Sequence, residues 1–274
     1  MPELPEVETV VRDLRPHLVG GAITQVQLRR DSVVRYPDPD TFRARLRGRH
    51  VLSVRRHGKF IHLGLGRGES LVIHLGMSGN LTWGASGNEF LPHTHLVLDF
   101  GREAQLRYRD PRRFGRLLLG RAAHLQALRL LPHLGPEPLS RDFLSGAFQA
   151  TLRGSRRTLK ALLLDQAVVA GCGNIYADEA CFLAGLLPNR SGSSLSLVEA
   201  GELSRDLRRV MRRALRLRGS SFASFRDGFG ARGEAYEALR VYGRGGRPCL
   251  RCGATLRERQ VGGRTTVYCG RCQR

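Results

Sequence analysis

A chain of 274 residues with 41% hydrophobic residues is long enough for two modest domains with ordinary hydrophobic cores. Its 45 lysine and arginine residues against 24 aspartate and glutamate residues give a net charge of +21, which favours nucleic acid over an anionic membrane as partner. No apolar run approaches the roughly 18 residues of a membrane-spanning helix, and the N-terminus does not resemble a signal peptide. We therefore expect a soluble intracellular protein with no membrane partner.

The first predicted element is an amphipathic helix over residues 3–19, in which apolar residues recur every three or four positions until two glycines end the pattern. Removal of Met1 would leave Pro2 with a terminal secondary amine, which is a nucleophile when unprotonated. Glu3 beside it is able to transfer protons. Proline and glutamate are also ordinary residues at a helix start, and this stretch alone favours that simpler interpretation.

Residues 22–120 change to short runs of alternating polarity between glycine, proline and asparagine turns. Many short strands without helices between them predict an antiparallel sandwich or barrel. After the segment 134–139 the period becomes helical, and the predicted helices span 142–152, 158–169, 175–184 and 197–217. The following glycine-rich and aromatic residues, 219–247, are typical of a loop. We expect the domain boundary between residues 120 and 140.

Four of the six cysteines lie near the end of the chain with the spacing C-x2-C-x16-C-x2-C. Two thiolates on each of two tight turns meet at tetrahedral zinc distance, and a reducing cell interior disfavours the alternative of two disulfides. A tetrathiolate site has no open ligand position, so we predict one structural Zn2+. The residues between the pairs predict a β-hairpin turning at Gly262-Gly263, with Arg264 placed for a phosphate or simply solvated. The predicted ligands are Cys249, Cys252, Cys269 and Cys272.

Lysine is scarce in this basic chain, because only Lys59 and Lys160 stand among 45 basic residues and the other 43 are arginine. A lysine kept where arginine serves elsewhere suggests a need for the compact ammonium group. Chance retention is the alternative for either residue.

Seven segments occur in one order along the chain: "PELPEVET" at 2–9, "HLGMSG" at 74–79, "YRDPRRFG" at 108–115, "LGPEPL" at 134–139, "GCGNIYADEA" at 171–180, "VYGRGG" at 241–246 and the four-cysteine segment. Together they resemble the bacterial formamidopyrimidine-DNA glycosylases of the Fpg/endonuclease VIII family. The resemblance implies an α+β multidomain fold. Its expected parts are an N-terminal helix and antiparallel β-sandwich over 1–130, a helix–two-turns–helix domain over 131–240 and a zinc β-hairpin over 241–274.

The resemblance also implies an activity, the excision of oxidised purines such as 8-oxoguanine and formamidopyrimidines followed by β,δ-elimination at the abasic site. In that scheme the Pro2 nitrogen forms a Schiff base with sugar C1′, Glu3 transfers protons, and Glu6 orders the N-terminus. The expected partner is double-stranded DNA containing oxidised bases or abasic sites, bound by a monomer in the bacterial cytoplasm at the nucleoid. Two alternatives stay open: an oxidised-pyrimidine glycosylase of the endonuclease VIII branch, and a non-catalytic zinc protein that binds damaged DNA.

The remaining site residues are also implied by the resemblance. A flipped-out base leaves a gap in the duplex, which the family fills with an inserted wedge. The segment 219–235 falls where the family has a loop over the flipped base, and no base-reading residue is assigned within it. The expected wedge residues are Met77, Arg112 and Phe114; the expected phosphate or DNA contacts are Lys59, His74, Lys160, Asn174 and Arg264, with Lys59 and Arg264 also supporting catalysis.

Overall fold

The computed structural model describes residues 1–86, 89–101, 104–144, 146–222 and 224–274. These residues form two compact units, the first made of Met1–Pro132 and Leu217–Tyr236, the second of His133–Arg216 and Glu237–Arg274. The predicted loop over 219–235 belongs to the first unit, and its position 223 lies outside the described residues. Among the described residues, no helix combines the length and the apolar character needed to cross a membrane.

The first unit begins with helix α1 (Leu4–Leu18), as the apolar spacing predicts. Its helical N-cap is Glu3, and a proline in the first turn suits a position where no backbone donor is needed. The apolar face of α1 is almost completely buried and packs against the neighbouring strands. That face consists of Leu4, Val7, Val10, Val11, Leu14 and Leu18.

Two sheets of the first unit share one hydrophobic core with α1. The four-stranded sheet has the order β1-β7-β8-β6 and is antiparallel; its strands are β1 (Gln25–Leu28), β6 (Asn80–Ala85), β7 (Thr94–Asp99) and β8 (Ala104–Arg109). The five-stranded sheet has the order β2-β9-β5-β4-β3, with strands β2 (Val34–Tyr36), β3 (Ser53–His57), β4 (Phe60–Gly66), β5 (Glu69–His74) and β9 (Arg116–Arg121). The predicted antiparallel architecture is confirmed, although β2 pairs parallel with β9 at one edge.

Two short helices in the first unit have no counterpart in the sequence prediction, α2 (Pro39–Leu46) and α3 (Ala122–Ala127). Helix α2 is capped by Asp38, whose carboxylate accepts a hydrogen bond of 2.9 Å from the Thr41 N–H. The Asp-Pro pair at its start is the local signal that would have revealed it.

The second unit contains helices α4 (Ala147–Arg153), α5 (Leu159–Leu164), α6 (Asn174–Leu183) and α7 (Leu197–Arg216), and the hairpin of β10 (Arg257–Val261) and β11 (Arg264–Tyr268). The helix predicted over 158–169 ends early, because the Asp165 carboxylate accepts the Ala167 N–H at 3.0 Å and turns the chain. Gly262 and Gly263 at the hairpin tip have φ of +59° and +70°, the left-handed geometry of a two-residue hairpin turn.

Candidate active site

The N-terminal residues expected to carry the chemistry are buried at the start of α1. Pro2 is buried, and Glu3 is 2% exposed. Glu6 accepts the Glu3 N–H through Oε2 at 2.8 Å, and the Ser220 N–H through Oε1 at 2.8 Å. Glu6 therefore joins the helix start to the segment that begins at Leu217, within one unit.

Burial of the N-terminus favours an unprotonated amine, against the opposing charges of two nearby carboxylates. Burial lowers the pKa of the Met1 amino group. The Glu3 and Glu6 carboxylates oppose this shift, whereas the positive charges of Lys59 and Arg112 add to it, and the net direction is downward. Lys59 lies in the turn between β3 and β4 and is 6% exposed. Lys59 thus acts electrostatically on the amine next to Pro2.

His74, the last residue of β5, is held neutral. Burial lowers its pKa to about 4, and the positive charges of Lys59 and Arg116 act in the same direction. Its Nδ1 accepts the Gly76 N–H at 3.2 Å, which assigns the ring proton to Nε2. A neutral imidazole with an Nε2–H is able to donate to an anionic oxygen.

The three expected wedge residues lie on two loops of the first unit. Met77, in the loop from β5 to β6, is 43% exposed, and Phe114, in the loop from β8 to β9, is 52% exposed. The Arg112 guanidinium lies over the Phe114 ring, 4.8 Å from its centre. A Cβ at Gly76 would come within 2.5 Å of the Phe114 and Gly115 backbone, so the two loops pack backbone against backbone.

The glycine-rich segment is anchored to the first unit by contacts that sequence reasoning missed. Asp13 of α1 accepts the Gly228 N–H at 3.0 Å and Arg218 Nη2 at 2.7 Å. Arg218 also donates to the buried Asp227 carboxylate, at 2.5 Å from Nη2. The Asn80 side chain accepts the Arg226 N–H at 2.8 Å. An aspartate on the buried face of α1 was the available signal for this anchor.

In the second unit, Asn174 and Arg264, which are both expected to contact DNA, lie close to each other beside Thr265. Asn174, the first residue of α6, donates to the Thr265 carbonyl from Nδ2 at 3.2 Å. Arg264 precedes Thr265 at the hairpin tip and is exposed. The tip itself lies against α5, because a Cβ at Gly262 would be 3.4 Å from Ala161 Cα. Asn174 and Arg264 are thus held close together, and their contacts with DNA stay predictions.

Lys160 is expected from the sequence to contact phosphate, but its position contradicts that interpretation. Its side chain is 0% exposed, and Nζ donates to Asp178 Oδ1 at 2.6 Å and to the Thr265 carbonyl at 3.1 Å. Asp178 is equally buried and accepts the Val267 N–H at 3.1 Å. Lys160 therefore ties α5 to α6 and β11, and its ammonium group is not accessible to a phosphate.

The turns between α5 and α6 are organised by Gln166. Its Oε1 accepts the Gly171 N–H at 2.9 Å, and its Nε2 donates to the Cys172 carbonyl at 2.8 Å. Gly171 has φ of +82°, which an L residue adopts only with strain. The chain then enters α6, whose N-terminal N–H groups form a favourable environment for an anion beside Asn174.

The four predicted zinc ligands converge at one point of the second unit. Their Sγ atoms all lie within 4.8 Å of one another, with Cys249 to Cys272 at 4.0 Å and Cys252 to Cys269 at 3.6 Å. Zn–S bonds of about 2.3 Å in a tetrahedron place sulfur atoms about 3.8 Å apart, so the cluster fits one zinc ion. Four thiolates fill the coordination shell, which makes the zinc structural.

The zinc segment, residues 240–274 with the four cysteines, is connected to α6 through one carboxylate. Glu179 is 5% exposed, and burial raises its pKa. Its Oε1 accepts the Val241 N–H at 2.8 Å and the Tyr242 N–H at 3.0 Å, and both oxygens accept the Arg240 N–H at 2.9 Å. Three consecutive backbone donors therefore fix the start of the zinc segment on the helix that begins with Asn174.

Comparisons with known proteins cover the whole chain. Three family models match it: "Formamidopyrimidine-DNA glycosylase N-terminal domain" at residues 1–117, "Formamidopyrimidine-DNA glycosylase H2TH domain" at 134–226 and "Zinc finger found in FPG and IleRS" at 246–274. The formamidopyrimidine-DNA glycosylase of Moorella thermoacetica is 44% identical over 256 residues, which are 93% of each chain.

Solved structures agree with these matches. The MutM (FPG) protein of Thermus thermophilus superimposes with a TM-score of 0.88 and 44% identity, covering 99% of this chain and 98% of that one. A point mutant of the Lactococcus lactis FPG, solved in complex with Fapy-dG containing DNA, gives a TM-score of 0.91 at 33% identity with full coverage of both chains. With family models over most of its length and relatives well above 30% identity, this chain belongs to the formamidopyrimidine-DNA glycosylase family.

Proposed function

We propose that this protein is a bifunctional DNA glycosylase and abasic-site lyase of base excision repair, which excises oxidised purines such as 8-oxoguanine and formamidopyrimidines. Its substrate is double-stranded DNA containing an oxidised base or an abasic site, and it works as a monomer at the bacterial nucleoid in the cytoplasm. The observation that carries this proposal is Pro2, buried beside the buried Glu3 carboxylate at the start of α1, where the surroundings lower the pKa of the adjacent Met1 amino group. Its relative in complex with Fapy-dG containing DNA supports the choice of lesion.

The chemistry starts once Met1 is removed and the Pro2 nitrogen carries a lone pair. That lone pair attacks sugar C1′, the C1′–base bond breaks, and the electron pair leaves with the base, which takes up a proton. The amine loses its own proton, and Glu3 delivers a proton to the ring oxygen as the sugar opens. The product is a charged iminium, the Schiff base form of a secondary amine.

The iminium then drives strand cleavage. It withdraws electrons from C2′, so a C2′ proton is lost and the 3′ phosphate departs in β-elimination; a second elimination releases the 5′ phosphate. Water finally hydrolyses the link between Pro2 and the sugar fragment. Glu6 holds the helix start in place during these steps through its bond to the Glu3 N–H.

The remaining residues hold the DNA. Three side chains enter the gap left by the flipped nucleotide. Met77 fills it with an apolar chain, Arg112 donates hydrogen bonds to the unpaired cytosine, and the Phe114 ring stacks on a neighbouring base. Lys59 and the Nε2–H of His74 bind phosphates near the lesion. Asn174 and Arg264 bind phosphates from the second unit, and zinc, when bound, keeps the Arg264 hairpin rigid.

Three functional modules follow from this assignment. Residues 1–130 carry catalysis and the wedge, residues 131–240 form the helix–two-turns–helix module, and residues 241–274 form the zinc hairpin. The three family matches lie inside these limits. Residues 217–236, which pack with the first unit, supply the loop over the flipped base.

Borohydride trapping tests the proposal. Untagged protein, with removal of Met1 verified by mass spectrometry, is mixed with a duplex containing 8-oxoguanine opposite cytosine and then reduced. We expect a covalent protein–DNA adduct that maps to Pro2. The matched control is the same protein with its N-terminal nitrogen acetylated, which should form no adduct.

Three results would contradict the proposal. An adduct formed by the acetylated protein would assign the nucleophile to another residue. Excision of thymine glycol in preference to 8-oxoguanine would place the protein with the oxidised-pyrimidine enzymes, and absence of any adduct with either substrate would identify a non-catalytic binding protein.

A further inference from the structure

Asp110 is a fully buried acid at the meeting point of the two loops that carry the wedge. It is 0% exposed, and it is the residue that follows β8. One loop contributes Met77, and the other contributes Arg112 and Phe114. Sequence reasoning assigned no role to this carboxylate.

The hydrogen bonds of Asp110 cross from one loop to the other. Its Oδ1 accepts the Ser78 hydroxyl at 2.5 Å, and its Oδ2 accepts the Gly115 N–H at 2.8 Å and the Tyr108 hydroxyl at 3.2 Å. Ser78 Oγ in turn accepts the Arg112 N–H at 3.2 Å. The carboxylate therefore joins the residue after Met77 to the residue after Phe114.

The backbone around Asp110 is held as firmly as its side chain. The Asp110 carbonyl is hydrogen-bonded to His95 Nε2 at 2.9 Å, which connects it to β7. The Gly76 backbone packs directly against that of Phe114 and Gly115, since a Cβ at Gly76 would lie 2.5 Å from both. Without the carboxylate, the Gly115 N–H and the Tyr108 hydroxyl would be buried without this acceptor, so the loops would have to open to water.

We propose that Asp110 is a positioning residue for base flipping, because its carboxylate holds the Met77 loop and the Arg112–Phe114 loop together as one preformed wedge. A preformed wedge loses little conformational freedom when it enters the duplex, so less of the binding energy is spent on ordering it. This inference rests on the proposed function, because it requires that the wedge replaces a flipped nucleotide.

The test compares Asp110→Ala and Asp110→Asn with the parental protein and with Leu46→Ala, a core variant in α2 that controls for lost stability. Single-turnover excision of 8-oxoguanine from duplex DNA should fall at least about tenfold in Asp110→Ala at equal folded fraction. Asp110→Asn should recover part of the rate, because its carbonyl oxygen still accepts the Gly115 N–H. Leu46→Ala should change the rate only through its folded fraction.

Two further readouts separate positioning from general damage. Elimination at an abasic site in single-stranded DNA requires no base to be displaced, so Asp110→Ala should retain it within about twofold. A 2-aminopurine beside the lesion, whose fluorescence increases when it unstacks, should respond more slowly in Asp110→Ala than in the parental protein.

The outcomes are distinguishable. Equal duplex excision and equal fluorescence in Asp110→Ala and parental protein would overturn the inference, while adduct formation by the parental protein would still support the proposed function. An equal loss of single-strand elimination and duplex excision would also overturn it, because the carboxylate would then serve the whole unit. If the parental protein forms no adduct, the proposed function and this inference are both wrong.

Discussion

Replacing Lys160 by methionine should destabilise the second unit without removing a DNA contact. Lys160 Nζ lies 2.6 Å from Asp178 Oδ1, and both side chains are 0% exposed. Methionine preserves the apolar stem but leaves a buried carboxylate that keeps its bond from the Val267 N–H and loses its counter-charge. Breaking one side of a buried ion pair lowers the free energy of unfolding by about 3–5 kcal/mol.

The double variant Lys160→Met/Asp178→Leu should recover most of that loss. Removing both charges avoids an unpaired buried ion, and such replacements are often neutral. The Val267 N–H then loses its acceptor on Asp178, and the Thr265 carbonyl loses its bond from Lys160 but keeps the one from Asn174, which leaves a deficit of about 1–3 kcal/mol. The measurement is denaturant unfolding of the zinc-loaded full-length protein, the two single variants and the double variant. These four free energies form a double-mutant cycle, which gives the interaction energy between Lys160 and Asp178.

The salt dependence of DNA binding decides between a structural and a phosphate-binding lysine. Each phosphate contact adds about 0.9 to the slope of log K against log salt concentration. The double variant should keep the parental slope, whereas Arg264→Gln should reduce it by about 0.9. If Lys160→Met proved as stable as the parental protein and also reduced the slope, the assignment of Lys160 as a buried structural residue would be wrong.

Three further predictions follow from the sites. Replacing Cys252 by serine, or removing zinc with a chelator, should weaken DNA binding, measured by filter binding, and lower the thermal stability of the second unit, measured by calorimetry. Unchanged DNA binding would show that the zinc segment is not needed for DNA recognition. The positive charge of Lys59 lowers the pKa of the Met1 amino group, and we expect it to act in the same direction on the Pro2 amine once Met1 is removed. In the pH–rate profile of Schiff base formation, Lys59→Met should therefore shift the rise in rate to higher pH, and a shift to lower pH would contradict this. Asp13→Asn should loosen the anchor at Arg218 and speed hydrogen exchange in the segment around Gly228, with little change in single-strand abasic-site elimination; unaltered exchange would argue against the anchor.

Local patterns in the sequence predicted several elements well. The spacing of apolar residues is set by the helical period, so α1 and α7 were found nearly to their ends. The cysteine spacing predicted the zinc cluster because each pair sits on one tight turn. Shorter features were missed: α2 depends on a single cap at Asp38, and the parallel pairing of β2 with β9 joins distant segments.

The sequence by itself determined the family, the longer helices, the zinc ligands and the N-terminal proline with its acids, because each depends on neighbouring residues or on an ordered set of motifs. Only the tertiary structure decided that Lys160 is buried against Asp178, that Asp13 anchors Arg218 from 205 positions away, and that Asp110 links two loops. The physical reason is that the role of a buried polar group depends on the hydrogen-bond partners that folding brings close to it. Local periodicity contains no information about which distant donor or acceptor that partner will be.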